Sequence, residues 1–109
     1  MSFRIKITRN FEKEAKPLIK KHPSFKSDIG RLIDELEVNP ELGTSLGHNL
    51  FKIRVAISSK GRGKSGGARV ITYVVTKNQM VYLISIYDKA EYDTAKIETL
   101  LEILKSEGL

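Results

Sequence analysis

The run Leu50-Phe51-Lys52-Ile53-Arg54-Val55-Ala56-Ile57 is followed by Ser58-Ser59-Lys60-Gly61-Arg62-Gly63-Lys64-Ser65-Gly66-Gly67 and then Ala68-Arg69-Val70-Ile71-Thr72-Tyr73-Val74-Val75. Two runs rich in β-branched residues bracket a glycine-rich basic loop. A third run, Met80-Val81-Tyr82-Leu83-Ile84-Ser85-Ile86-Tyr87, comes after a short turn at Lys77-Asn78-Gln79. Apolar runs bounded by turn residues read as strands at hairpin spacing. The second and third are almost continuously apolar, which predicts central strands covered on both faces.

Working outward, Asp93 or Thr94 is placed to cap a helix carrying Ile97, Leu100, Leu101 and Leu104 at i, i+3, i+4, i+7. At the other end, Phe3, Ile5 and Ile7 alternate with Arg4, Lys6 and Thr8, a short half-buried strand. Thr8 or Asn10 then caps a helix with Phe11, Ala15, Leu18 and Ile19 on one face. Pro17 removes a donor and crowds the carbonyl of Lys13, so a bend or early break is expected there. Lys20-Lys21-His22-Pro23 ends the helix. Ser24 or Ser27 caps a second one, with Ile29, Leu32, Ile33 and Leu36 inward and Asn39-Pro40 as its stop. Gly30 weakens that helix and is expected to admit the first helix closely. Residues Asn39 to Asn49 read as loop. The order is β-α-α-β-β-β-α, an α+β chain with a helical hairpin, and residues 1–109 read as one domain.

From Leu42 to Tyr87 there is no Asp or Glu, but Lys52, Arg54, Lys60, Arg62, Lys64, Arg69 and Lys77 all lie in that window. The chain has 19 basic and 13 acidic residues, net +6. Outside the window the two signs nearly balance, so the basic character belongs to this region. A polyanion gains from every such cation and releases counterions. The plainer alternative, a solvated surface, usually interleaves both signs.

Cysteine is absent, which excludes disulfides, thiolate metal sites and thiol nucleophiles. No apolar run approaches the length of a membrane span, and Met1-Ser2-Phe3-Arg4-Ile5 has no apolar signal region. A cytoplasmic protein without cofactor or metal is expected. His22 and His48 stand apart in expected turns, where solvated histidines are commoner than bases. Gly63-Lys64-Ser65 invites a phosphate-loop reading, but Ser58 stands where the first glycine belongs and a strand, not a helix, follows.

Period two puts Lys52 and Arg54 on one face of their strand. In an antiparallel meander Arg69 falls beside them and Lys89 reaches the rim. The result is a cationic cradle with Tyr73, Tyr87 and Tyr92 available to stack on bases. RNA carries its own nucleophile, the 2′-hydroxyl. Cleavage then needs a base, cations on the phosphoryl oxygens and a proton for the departing 5′-oxygen. Arginine supplies fixed bidentate charge, and an amine crowded by cations becomes useful for proton transfer. Lys, Arg and Tyr alone can supply such a site. The bland alternative is that these are ordinary strand residues facing water.

The stretches Leu50–Ala56, Lys64–Tyr73 and Tyr82–Glu91 resemble the central strands of the RelE/ParE family of type II toxins, closest to its RelE/HigB-like members. Lys64-Ser65-Gly66-Gly67-Ala68-Arg69 together with Tyr87-Asp88-Lys89-Ala90-Glu91 carries the resemblance, which spans essentially the whole chain. It implies a microbial ribonuclease-like fold, with the helical hairpin packed on a four-stranded antiparallel sheet. It implies cleavage of mRNA in the ribosomal A site. By position, Arg69 matches the arginine holding the scissile phosphate and Lys89 the residue on the leaving-group side. Lys52 and Arg54 match the pair acting as base and charge stabiliser. Lys60, Arg62, Lys64, Tyr73 and Tyr87 are the expected further RNA contacts. One departure is Ala95, where several relatives carry tyrosine or histidine; Tyr92, one turn away, is the substitute. The resemblance also implies a cognate antitoxin, acidic or amphipathic, lying over the basic face or adding to a sheet edge, with operator DNA bound only through that partner. The ParE branch, which poisons DNA gyrase, and a simple nucleic-acid-binding module are the rival readings.

Overall fold

A computed structural model describes residues 2–60, 67–90 and 95–109. Its elements are β1 (Arg4–Ile7), α1 (Arg9–Lys21), α2 (Phe25–Val38), β2 (Thr44–Gly47), β3 (Leu50–Val55), a 3-10 turn (Ser58–Lys60), β4 (Ala68–Val75), β5 (Met80–Asp88) and α3 (Ile97–Ser106). The strands form one sheet in the order β1-β5-β4-β3-β2. The expected α+β class and meander hold, with two differences. The sheet has five strands rather than four, and β1 pairs with β5 in parallel.

The added strand comes from the expected loop. Thr44 and Ser45 pair with Lys52 and Phe51, and a two-residue turn at His48-Asn49 closes the hairpin. Both turn residues have positive φ, 56° and 62°. Such backbone matches the twist of two paired strands. Gly43, at φ +99°, brings the chain against the Lys52 carbonyl where a Cβ would collide.

Thr8 starts α1 as expected: its Oγ1 accepts from the Phe11 amide at 3.2 Å and donates to the Leu83 carbonyl at 2.8 Å. Of the bend or early break expected at Pro17, the break is absent: α1 runs through it to Lys21. Pro17 lies on the exposed side, while Phe11, Ala15 and Leu18 are buried on the other. Burial of that face outweighs one missing backbone bond on the solvent side. Gly30 also departs from expectation: nothing comes within 4 Å of the place its Cβ would take, so it brings no helix close. In α3 the cap position is held by Lys96, without a side-chain bond, and the expected caps Asp93 and Thr94 lie outside the described residues. Leu100 and Leu104 are buried there, but Leu101 is exposed.

The sheet divides the core. On one face Phe11, Phe25, Ile29, Leu32 and Leu36 of the hairpin pack on Ile53, Val70, Val74, Val81, Leu83 and Ile86. On the other, Leu100 and Leu104 of α3 pack on Leu50, Ile71, Ile84 and Tyr87. β4 and β5 are therefore covered on both sides, as their apolar runs predict. Among the described residues no helix is long and apolar enough to cross a membrane.

Candidate nucleic-acid interface

Ile53 and Val55 belong to the hairpin-side core, so the alternate residues Lys52 and Arg54 point to the α3 side. In β4, Val70 faces the hairpin and Ile71 faces α3, which places Arg69 on the α3 side too. Register puts Arg54 directly opposite Arg69, and Arg69 directly opposite Tyr87. A row Arg54–Arg69–Tyr87 therefore crosses three strands. One step along lies Lys52 opposite Ile71. At the far end Tyr73 and Tyr82 face each other, ring centroids 6.2 Å apart and tilted by 33°.

Tyr87 reaches this row because of a bulge. Ile71 pairs with Ser85 and Thr72 with Leu83, leaving Ile84 as the extra residue of β5. Leu83 and Ile86 both face the hairpin, while Ile84 and Tyr87 both face α3. Residues three apart share a face only where alternation is interrupted.

The members of the row differ in exposure. Arg54 is exposed and Lys52 half-buried. Arg69 is 1% exposed and Tyr87 3%. Arg69 Nη1 lies 3.3 Å from the Ala68 carbonyl, to which it donates, and this is not its only interaction. Two guanidinium-bearing side chains directly opposite on neighbouring strands repel one another, and burial of one sharpens its field.

The loop that follows β3 is held at both ends. Asp28 of α2, 5% exposed, accepts from the Ser58 amide at 3.0 Å and the Ser58 hydroxyl at 2.5 Å, and pairs with Arg31. His22 Nδ1 lies 3.3 Å from Ser59 Oγ. At the other end, a Cβ on Gly67 would run into the Val55 carbonyl, and the Lys89 amide donates to the Gly67 carbonyl at 3.1 Å.

No family model matches the chain. Among solved structures, a mutant of the E. coli toxin RelE in the free state superposes with a TM-score of 0.64 at 16% identity, covering 97% of this chain and 98% of that one. The chain has the RelE fold.

On this RelE fold the expected site residues separate into four groups. Lys52, Arg54 and Arg69 come together on one face, as the strand periodicity predicts. Lys89 is exposed just beyond β5, tied through its amide to the end of the loop. Tyr73 is half-buried against Tyr82, and Tyr87 is buried, so in this conformation Tyr87 offers no face to a base. Arg62, Lys64 and Tyr92, and the side chain of Lys60, lie outside the described residues. His48 is exposed in its turn as expected, while His22 is half-buried rather than solvated.

Two features of the RelE-fold scaffold escaped sequence reasoning. Asp28 and Ser58 are 30 positions apart, and nothing local marks either as a partner. Asn10 and Glu14, one turn apart on α1, cover the edge of β5 beyond its pairing with β1. Asn10 donates to the Ile84 carbonyl at 2.8 Å, and Glu14 accepts from Ser85 Oγ at 2.7 Å and the Ile86 amide at 3.3 Å. Their i, i+4 spacing was visible; their target was not.

Proposed function

We propose that this chain is the toxin of a type II toxin–antitoxin system: a cytoplasmic endoribonuclease that cuts mRNA in the ribosomal A site and so stops translation. The observation that carries the reading is the face formed by Lys52, Arg54 and Arg69, within a window that holds no carboxylate. The RelE fold supports it.

The chemistry uses side chains and the RNA alone. The 2′-hydroxyl gives its proton to a base and its oxygen attacks the adjacent phosphorus. The bond from phosphorus to the 5′-oxygen breaks, that oxygen takes a proton, and a 2′,3′-cyclic phosphate remains. Lys52 and Arg54 supply the base and the stabilising charge at the exposed surface. Arg69 adds a fixed positive field beneath the phosphate. Lys89 neutralises the leaving side, and Tyr92 stacks the base. Lys60, Arg62, Lys64 and Tyr73 extend the RNA contact. The partner that silences the toxin is a cognate antitoxin, which also supplies any contact with operator DNA.

Burial of Arg69 and Tyr87 favours a second reading, in which the face binds without cutting and the chain is a ParE-like inhibitor of DNA gyrase. Primer extension on an mRNA in a reconstituted translation reaction separates the two. Discrete cuts that require ribosomes and vanish in Arg54→Ala and Arg69→Ala support the nuclease. Intact mRNA at every protein concentration rejects it, and gyrase supercoiling becomes the assay.

A further inference from the structure

We propose that a cavity at the outer edge of β3 receives one base of a bound RNA strand, while the phosphate beside that base rests on Lys52 and Arg54; this builds on the RNA-binding reading given above. The cavity measures about 480 Å³ and lies between α2 and the β3 edge, next to the start of β2. Leu32, Leu42 and Ile53 give it an apolar wall, and Arg31 and Glu35, both exposed, line it from α2. Its size is that of a small-ligand pocket, roughly 300–1,000 Å³.

The hydrogen-bonding groups come from the main chain. The Lys52 carbonyl faces Gly43, on the β2 side, and the Val55 carbonyl faces Gly67, on the β4 side. Successive residues of a strand turn their main-chain groups to opposite neighbours, so the amide and carbonyl of Arg54 face outward like those of Lys52. The β2 ladder stops at the Thr44–Lys52 pair. Arg54 therefore presents one donor and one acceptor beyond its end, unpaired among the described residues, where Arg54 lines the cavity.

This open edge is too short for an added peptide strand, because Thr44 closes it at one end and the 3-10 turn at Ser58 at the other. A nucleobase matches it: flat, apolar on its faces, with an acceptor and an N–H side by side on its rim. The Arg54 amide donates to the acceptor, and the Arg54 carbonyl accepts from the base N–H. The Arg31 guanidinium, paired with Asp28, offers a plane on which the base stacks. The side chains of Lys52 and Arg54 leave the same strand toward the α3 side, so a nucleotide straddles the edge with its base in the cavity and its phosphate on the basic face. A free mononucleotide has the same base chemistry. The run of cations on the α3 side favours a strand with neighbouring phosphates.

The test is amide and methyl NMR on the isotope-labelled whole chain. The probes are a short single-stranded oligoribonucleotide, the same ribose–phosphate chain without bases, and a nucleoside 5′-monophosphate. The two oligomers carry 2′-O-methyl groups so that neither is cut. With the full oligomer, shifts are expected at the Gly43 amide and the methyl groups of Leu32 and Leu42. The base-free oligomer should move only signals around Lys52 and Arg54. Arg31→Lys keeps the charge and loses the plane, so it should weaken the full oligomer about two- to fivefold and leave the base-free oligomer and the melting temperature unchanged. The proposal is overturned if the base-free oligomer shifts Leu32 and Leu42 equally, if Arg31→Lys weakens both oligomers or neither, or if the monophosphate fills the cavity as tightly as the full oligomer. It is also overturned if the full oligomer moves only Lys52 and Arg54, a result that leaves the RNA-binding reading standing. No shift anywhere by about 1 mM oligomer removes both.

Discussion

Arg54 and Arg69 stand directly opposite each other on β3 and β4, one exposed and the other buried. A like-charge cross-strand pair works against the sheet that holds it by about 0.2–1 kcal/mol. Arg54→Gln should therefore hold or raise the melting temperature, while the salt slope of oligoribonucleotide binding falls by about 0.7 for the lost contact. Arg69→Ala should lower the melting temperature, because it empties a buried site. A melting series alongside fluorescence-anisotropy titrations at several salt concentrations distinguishes these roles. A drop in stability for Arg54→Gln would contradict the assigned repulsion.

Asp28 joins α2 to the turn after β3. Asp28→Ala leaves the Ser58 amide and hydroxyl without their acceptor and should cost about 1–3 kcal/mol in urea unfolding. Ser58→Ala removes one of the two bonds and should cost about 1 kcal/mol. The double variant should fall short of the sum, since both changes break the same contact. Strict additivity in that cycle would show that Asp28 and Ser58 act independently.

The two glycines that matter most should respond in opposite directions. Gly67→Ala drives a methyl group into the Val55 carbonyl and should destabilise the junction of loop and β4. Gly30→Ala meets open space and should stabilise α2 by about 0.5–1 kcal/mol. Chemical denaturation of the pair, read side by side, checks both signs.

Glu14→Ala removes the acceptor for the Ile86 amide and the Ser85 hydroxyl. Amide exchange at Ile86 should accelerate well beyond that at Val70 in the middle of the sheet. Equal protection in the variant and the parent would mean that Glu14 contributes nothing to closing that edge.

The strand runs from Leu50 to Tyr87 were legible because apolar content and period two report directly on burial and face. The same period places Lys52, Arg54 and Arg69 on one face. It overlooked β2, since Thr44-Ser45-Leu46-Gly47 has no apolar alternation and exists only because His48 and Asn49 accept positive φ. It allows an early break at Pro17 beside a bend, because a local penalty is visible in sequence and the burial that keeps the helix going is not. It took Tyr87 as a stacking platform, because exposure depends on what packs over a strand. Asp28 with Ser58 was invisible for the same reason that most long-range polar contacts are: neither residue alone announces its partner.

The guard on β5 has a consequence for synthesis. Unpaired strand edges recruit other chains, and new polypeptides are most exposed to that hazard while still incomplete. Asn10 and Glu14 leave the ribosome some seventy positions before the edge they cover. The chaperoning element is thus made first, ready when the sticky strand emerges. Moving α1 to the far end by circular permutation would reverse that order, so that β5 waits bare for its cover and soluble yield becomes hostage to crowding.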